Sequence, residues 1–146
     1  MVEQNEAFFV NLSAASGATI FDSQGVGTLL NDDGPVLKIN DVTKAEGNSG
    51  NTTYNFTVTL SPASNSTVTV KYATVNGTAA AGSDYVAVSP PKQITFSPGQ
   101  TSKPVSISIK GDVAKETNET FFVNLSAPMG ATLFDGQGKG TIQNDD

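Results

Sequence analysis

Short segments in which apolar and polar residues alternate run along most of the chain. In residues 53–61 (TYNFTVTLS) every second residue is apolar, and residues 67–75, 103–110 and 120–126 follow the same pattern. Alternation with a period of two is typical of strands that bury one face. No stretch of about ten residues places apolar side chains at helical spacing. The pattern predicts an all-β protein.

Turn signals separate these segments. Asn76-Gly77, Pro90-Pro91, Pro98-Gly99 and Asp135-Gly136 fall between alternating runs, where such pairs favour tight turns. A coarse interpretation gives seven strands. They are expected over residues 36–42, 53–61, 67–75, 92–96, 103–110, 120–126 and 140–143, with a short strand near residues 85–88. Many short strands at this spacing favour a sandwich of two sheets.

The chain contains an internal repeat. Residues 5–33 recur as residues 118–146, with 21 of 29 positions identical, no gap and an offset of 113 residues. Self-similarity at a fixed period indicates a repeat array. We therefore expect residues 1–33 to be the C-terminal third of a preceding repeat and residues 34–146 to be one complete domain. The junction at residues 31–35 (NDDGP) is short, so neighbouring repeats are expected to follow end to end.

Composition excludes several classes of function. The chain has no Cys and no His, so it lacks a disulfide framework, the commonest zinc ligands and the commonest general base. Its net charge is −6 and all eight basic residues are Lys, which argues against a nucleic-acid interface. No apolar run approaches the roughly 18 residues of a membrane span, so direct membrane insertion is not expected. No catalytic motif is found, and we expect a protein that is not an enzyme.

Acidic residues concentrate in predicted loops and at strand ends of residues 34–146. A calcium ion takes about six to eight oxygen ligands and tolerates flexible geometry, so carboxylates from several loops could bind it at one end of a sandwich. Solvated turn residues are the alternative, and spacing alone does not decide between them. Asp22 and Asp135 are interpreted as turn formers, because Asp favours such positions.

Four motifs in order resemble those of the Calx-beta domain, over nearly all of residues 34–146. They lie at residues 77–85 (GTAAAGSDY), 94–101 (ITFSPGQT), 112–125 (DVAKETNETFFVNL) and 138–146 (GKGTIQNDD). The resemblance implies an immunoglobulin-like, seven-stranded antiparallel sandwich of two sheets, with Ca²⁺ bound in the loops at one tip. The positions that match the family's ligands are Glu46, Asp84, Asp112, Glu116, Glu119, Asp145, Asp146 and the backbone carbonyl of Ala114.

The chain departs from the family's ligand pattern at two positions. Gly111 and Asn144 stand where other members have an additional Asp, and Val113 is also not acidic. We therefore expect one or two calcium sites. Extracellular calcium modules commonly bind with dissociation constants of roughly 10⁻⁴ to 10⁻³ M.

The resemblance and the repeat together predict a calcium-stiffened structural and interaction module. It would belong to a tandem, adhesin-like protein of the cell surface or extracellular space, associated with the membrane and active in cell adhesion or cell communication. Its expected partners are neighbouring repeats. The alternatives are a calcium-independent adhesion module that binds protein or glycan, and a calcium-sensing regulatory domain like those of sodium/calcium exchangers.

Residues 1–33 are expected to mediate self-association. They carry an apolar face formed by Phe8, Val10, Leu12 and Ile20, and a two-stranded hairpin is marginally stable alone in water. We expect this segment to occupy the place of residues 116–146 in another molecule. Otherwise it should pair along an exposed sheet edge or on the apolar face of a neighbouring molecule.

Overall fold

The computed structural model describes residues 6–29 and 34–146, and neither stretch contains a helix. None of these residues therefore belongs to a helix long and apolar enough to cross a membrane. The chain divides into two compact units, Met1–Gly34 and Pro35–Asp146. The predicted junction at residues 31–33 lies outside the described residues, so the assignment of residues 1–33 to a preceding repeat stays a prediction.

The second unit is a sandwich of two sheets. One sheet has the order β10 (Thr132–Asp135), β3 (Val36–Ile39), β5 (Asn51–Ser61), β8 (Ser102–Lys110). The other has the order β4 (Val42–Ala45), β11 (Gln137–Gln143), β9 (Glu119–Met129), β6 (Val68–Asn76), β7 (Lys92–Phe96). Neighbouring strands are antiparallel except for two parallel pairs at sheet edges, β10 with β3 and β4 with β11. The predicted all-β, immunoglobulin-like sandwich is confirmed.

The core lies between the two sheets and follows the alternation of the sequence. On β5, Tyr54, Phe56, Val58 and Leu60 are buried while the residues between them are exposed or partly exposed. Phe121 of β9 sits at the centre of the aromatic contacts, with ring centroids 6.1 Å from Tyr54 and 6.0 Å from Phe56. Burial of each such side chain stabilises the fold by about 1.5–3 kcal/mol. The core therefore holds the strand ends, and the loops attached to them, in fixed positions.

The strand predicted over residues 36–42 is in fact two strands in different sheets. The chain crosses between the sheets at Asn40 and Asp41, whose side chains accept backbone hydrogen bonds from both. Thr57 N of β5 donates to Asn40 Oδ1 (2.6 Å), and Lys139 N of β11 donates to Asp41 Oδ1 (2.7 Å). These short polar side chains replace the backbone hydrogen bonds that are interrupted where the chain crosses between the sheets. The pattern of apolar residues alone does not reveal this crossing.

Two further expectations differ from the structure. Residues 85–88 form no strand, and only Tyr85 makes isolated bridges, to Ala81 and Ile109. Tyr85 is buried because its ring stacks on Phe121 at 4.7 Å. Strand β10 was not predicted; it pairs with β3 at the edge of the four-stranded sheet. The seven expected strands become nine through the division of the first and the addition of β10.

The first unit is a hairpin of β1 (Glu6–Asn11) and β2 (Gln24–Leu29). Its register equals that of β9 with β11, since Glu6 faces Leu29 as Glu119 faces Ile142. The turn is also reproduced. Asp22 accepts a bond from Gln24 N (3.1 Å), as Asp135 does from Gln137 N (3.3 Å). Both Asp side chains thus serve a turn.

Candidate metal centre

The topology of the second unit brings three loops and the end of β11 to one end of the sandwich. Strand β9 begins at Glu119, where its antiparallel neighbour β11 ends, and β4 runs parallel to β11 and ends beside it. Strand β8 ends near the start of β5, its antiparallel partner. We call this end the acidic pole, defined by Glu46, Asp84, Asp112, Glu116, Glu119, Asp145 and Asp146. Carboxylates that lie far apart in sequence meet there.

A first group of three carboxylates consists of Glu46, Asp145 and Asp146, each with an oxygen within 4.8 Å of the others. The loop after β4 holds them in place. Glu46 N donates to Gln143 O (3.3 Å), and Gly47 N donates to Asp145 Oδ1 (3.0 Å). The Asn48 amide donates to Asp146 Oδ1. The end of β11 is therefore fastened to the loop that carries Glu46.

Among the described residues Glu46 is the one charged residue that is buried, with 5% of its surface exposed. Burial raises the pKa of its carboxyl, and the negative charges of Asp112, Glu116, Asp145 and Asp146 raise it further. Desolvation and like charges both disfavour an ionised carboxyl. A bound cation would reverse both effects, because it supplies the missing positive charge.

Two side-chain oxygens at this group have no hydrogen-bond partner although they are buried: Asp146 Oδ2 and Asn144 Oδ1. Buried polar atoms are nearly always paired, and each unpaired atom costs about 1–3 kcal/mol. Oxygen lone pairs are what a hard cation requires. Asn144 Oδ1, which is not a carboxylate oxygen, is therefore an observation beyond the carboxylate group that points to a cation.

A second group consists of Asp84, Glu116 and Glu119, again with oxygens within 4.8 Å of one another. Asp84 is fixed by its loop, since Ala80 N donates to Asp84 Oδ2 (2.7 Å) and Lys110 N of β8 donates to Asp84 O (2.8 Å). The pKa of Glu119 is raised to about 7. The causes are burial, the charge of Asp84, a hydrogen bond with Asp84, and the charges of Glu116 and Glu46. Desolvation and the neighbouring negative charges thus favour the protonated form of Glu119 near neutral pH.

The remaining two predicted ligands lie beside these groups. Asp112 belongs to neither, but its charge acts on Glu46, and its Oδ1 accepts a bond from Ala114 N (2.7 Å). Ala114 is exposed in the loop between β8 and β9. Six of the seven predicted carboxylates are thus brought together in two groups. The assignment of all eight residues as metal ligands stays a prediction.

Three neutral residues of the pole were not predicted to contribute. Gly47 and Asn48 bind the terminal Asp side chains, and Asn144 carries an unpaired buried oxygen. A search for charged residues passes over them. The signal that could have identified them is their position, directly after Glu46 and directly before Asp145.

The surroundings of Gly111 explain why this position does not carry the Asp found in other members of the family. A Cβ atom at this position would lie 1.9 Å from Gly47 O and 2.9 Å from Glu46 O. Its own N–H donates to Gly50 O (2.9 Å). The end of β8 therefore lies against the loop after β4, with no space for a side chain between them.

Fold and site together define an all-β sandwich with a candidate cation site, made of oxygen ligands, in the loops at one end. Because the chain has neither His nor Cys, it lacks imidazole and thiolate ligands, and a hard cation is favoured. The model of the Calx-beta domain family matches residues 30–144. The chain belongs to the Calx-beta domain family.

Solved structures share the fold. The apo form of the Calx CBD1 domain superposes with a TM-score of 0.70 at 24% identity, over 78% of this chain and 100% of that one. The calcium binding domain CBD12 of CALX1.1 gives 0.68 at 24%, over 75% of this chain and 46% of that one. The Calx CBD2 domain gives 0.66 at 14%, over 76% and 87%. At these identities the likeness establishes the fold.

Proposed function

We propose that this protein is a calcium-binding module of a tandem-repeat protein, stiffened by Ca²⁺ at the end where one repeat meets the next. The observation that carries the proposal is the pair of carboxylate groups at one pole, beside buried oxygens without a partner. One of the structurally similar proteins is named a calcium binding domain, which supports the same cation here.

Calcium fits this pole better than magnesium. Mg²⁺ requires a tight octahedron and releases its water reluctantly, whereas Ca²⁺ accepts more ligands at longer distances from flexible loops. The groups come from three loops and from the end of β11, and six carboxylates are available. Wide, loop-built and strongly acidic sites of this kind favour the larger ion.

Cation binding would act on stiffness through electrostatics. Burial and, after it, the like charges of the pole raise the pKa values of Glu46 and Glu119, so without a cation these charges repel each other. A bridging ion removes this repulsion and joins the loops to the end of β11. Because it binds the folded state alone, it also adds stability.

We propose that successive repeats meet at the acidic pole, and the topology of one unit supports this arrangement. The chain leaves the second unit after β11, at the acidic pole. It enters that unit at Pro35, beside Thr132 N, which donates to Pro35 O (3.0 Å) at the opposite end. If each repeat is followed directly by the next, as residue 33 is followed by residue 34 in the sequence, the acidic pole of one repeat is its junction with the next. We therefore propose neighbouring repeats as the partners, in an adhesin-like protein of the cell surface or extracellular space.

A calcium titration into chelator-treated protein, followed by calorimetry and thermal unfolding, tests the proposal. With a dissociation constant of about 10⁻⁴ M, 1 mM Ca²⁺ adds about 1.4 kcal/mol per site, which raises the melting temperature by about 5 °C. Magnesium at the same concentration should raise it less. Equal melting curves in chelator and in calcium would refute calcium binding and favour a calcium-independent adhesion module. A micromolar dissociation constant would favour a calcium-sensing regulator over a spacer.

A further inference from the structure

The loop between β6 and β7 carries Asp84, one of the three carboxylates of the second group at the acidic pole. In residues 77–91, all of which the structure describes, the backbone forms only isolated bridges, at Ala81 and Tyr85. A continuous strand ladder therefore does not hold Asp84 beside the other two carboxylates. The last residue of β6, Asn76, contacts both sides of this loop.

A single oxygen atom of Asn76 accepts two hydrogen bonds from the loop. Ala81 N donates to Asn76 Oδ1 at 2.9 Å, and the hydroxyl of Tyr85 donates to the same atom at 2.6 Å. Asp84 lies between these two donors in the sequence. A backbone N–H can only donate, so the amide oxygen of Asn76, and not its nitrogen, must face the loop. The two bonds set the width of the turn that presents Asp84.

Tyr85 gives this turn a fixed point in the core. Its side chain is buried, and its ring stacks on Phe121 with the ring centroids 4.7 Å apart. Because close packing holds the ring, the position of its hydroxyl is fixed as well. Asn76 therefore connects a residue of the core on one side of Asp84 to the backbone of Ala81 on the other side.

Hydrogen bonds within the loop carry this position on to the carboxylate. Ala80 N donates to Asp84 Oδ2 (2.7 Å), and Asp84 N donates to Ala80 O (3.1 Å). Ala80 directly precedes Ala81 in the chain. A shift of Ala81 would thus move the donor that orients the carboxylate of Asp84.

We infer that Asn76 is a positioning residue for cation binding at the second group, a role that rests on the proposed binding of calcium. Asn76 is not a ligand itself, because an amide oxygen has two lone pairs and the donors of Ala81 and Tyr85 occupy both. It acts through Asp84, which has an oxygen within 4.8 Å of those of the other two carboxylates. Groups that orient a metal's ligands commonly change its affinity by about tenfold or more.

Calorimetric titration of calcium into the full chain tests the inference, with Asn76→Ala and Asn124→Ala as matched variants. Asn124 lies on the neighbouring strand β9, and its Oδ1 accepts a hydrogen bond from Gln137 Nε2 (3.0 Å). Its replacement therefore removes the same amide from a position that does not contact the loop of Asp84. We expect calcium binding to be about tenfold weaker for Asn76→Ala and unchanged for Asn124→Ala.

A double-mutant cycle with Asp84→Asn separates action through Asp84 from a general loss of stability. Asparagine keeps an oxygen for Ala80 N but removes the charge. If Asn76 acts through Asp84, Asn76→Ala should weaken calcium binding little further in the Asp84→Asn chain. Additive losses in the double variant would overturn the inference, as would equal weakening by Asn76→Ala and Asn124→Ala.

Tyr85→Phe provides a second test if Asn76→Ala fails to fold. This variant keeps the stacked ring and removes one donor to Asn76, so cooperative unfolding in chelator should persist while calcium binding weakens severalfold. Calcium affinity equal to that of the unchanged chain, in Asn76→Ala or in Tyr85→Phe, would overturn the inference alone. Failure of the unchanged chain to bind calcium would instead overturn the proposed function on which the inference rests.

Discussion

Gly111→Asp is expected to weaken calcium binding, although it adds a carboxylate to the acidic pole. The resemblance to the family presents this position as a missing ligand, so by composition alone the substitution should strengthen the site. The structure predicts the opposite. The new Cβ would lie 1.9 Å from Gly47 O, and ordinary contact requires 3.4 Å or more, so the loop after β4 must move by about 1.5 Å.

The magnitude follows from the bonds that this movement breaks. Gly111 N donates to Gly50 O at 2.9 Å, and Gly47 N donates to the carboxylate of Asp145 at 3.0 Å. Their loss costs about 2–3 kcal/mol, because the second bond involves a charged acceptor. For a unit of this size the melting temperature in chelator should fall by about 10 °C. Displacement of Glu46 should also weaken calcium binding by about tenfold, or 1.4 kcal/mol.

Val113→Asp is the matched control, because it adds the same charge two residues later at a side chain that is 72% exposed. It should leave the melting temperature in chelator within about 2 °C of the unchanged protein. Calorimetry and thermal unfolding in chelator measure both effects. Tighter calcium binding by Gly111→Asp, with an unchanged melting temperature, would show that the close approach of the two loops does not govern the site.

Three other outcomes are expected. Glu116→Gln should remove most of the stabilisation by calcium, whereas Asp135→Asn, a turn residue, should leave it nearly intact; equal sensitivity in thermal shift would contradict the site. The pKa of Glu119 is raised from 4.5 to about 7 in the folded state. In the presence of a chelator, its contribution to the free energy of unfolding should therefore be complete below pH 4.5 and be lost as the pH rises through 7. Melting curves of Glu119→Gln should lack this decline, while calcium affinity of the unchanged chain should increase over the same range. Asp41→Ala, which removes the acceptor of Lys139 N, should lower stability by about 1 kcal/mol and leave the calcium shift unchanged; a reduced shift in calorimetry would show that the crossing between sheets supports the pole.

The sequence determined the all-β class and most of the strands, because alternation along a strand directly records which side chains face the core. The inner residues of β5 were identified in this way, and Phe121, Val123 and Leu125 on β9 are buried as expected. The repeat and the four motifs also pointed to the family and to the acids. What the residues alone left open was whether those acids meet. Glu46 and Asp145 are distant in sequence and come together only because β4 runs parallel to β11.

Strand β10 shows most directly what the tertiary structure decided. Residues 132–135 (TLFD) form this strand, while residues 19–22 (TIFD), almost identical in sequence, form none in the hairpin of the first unit. Local preference is therefore the same in both places. In the second unit Val36 and Leu37 of β3 offer backbone partners to Thr132 and Leu133, and without such partners a short segment keeps its backbone groups bonded to water. Edge strands, the crossing between sheets and the meeting of the carboxylates all depend on contacts between distant residues, which no local pattern records.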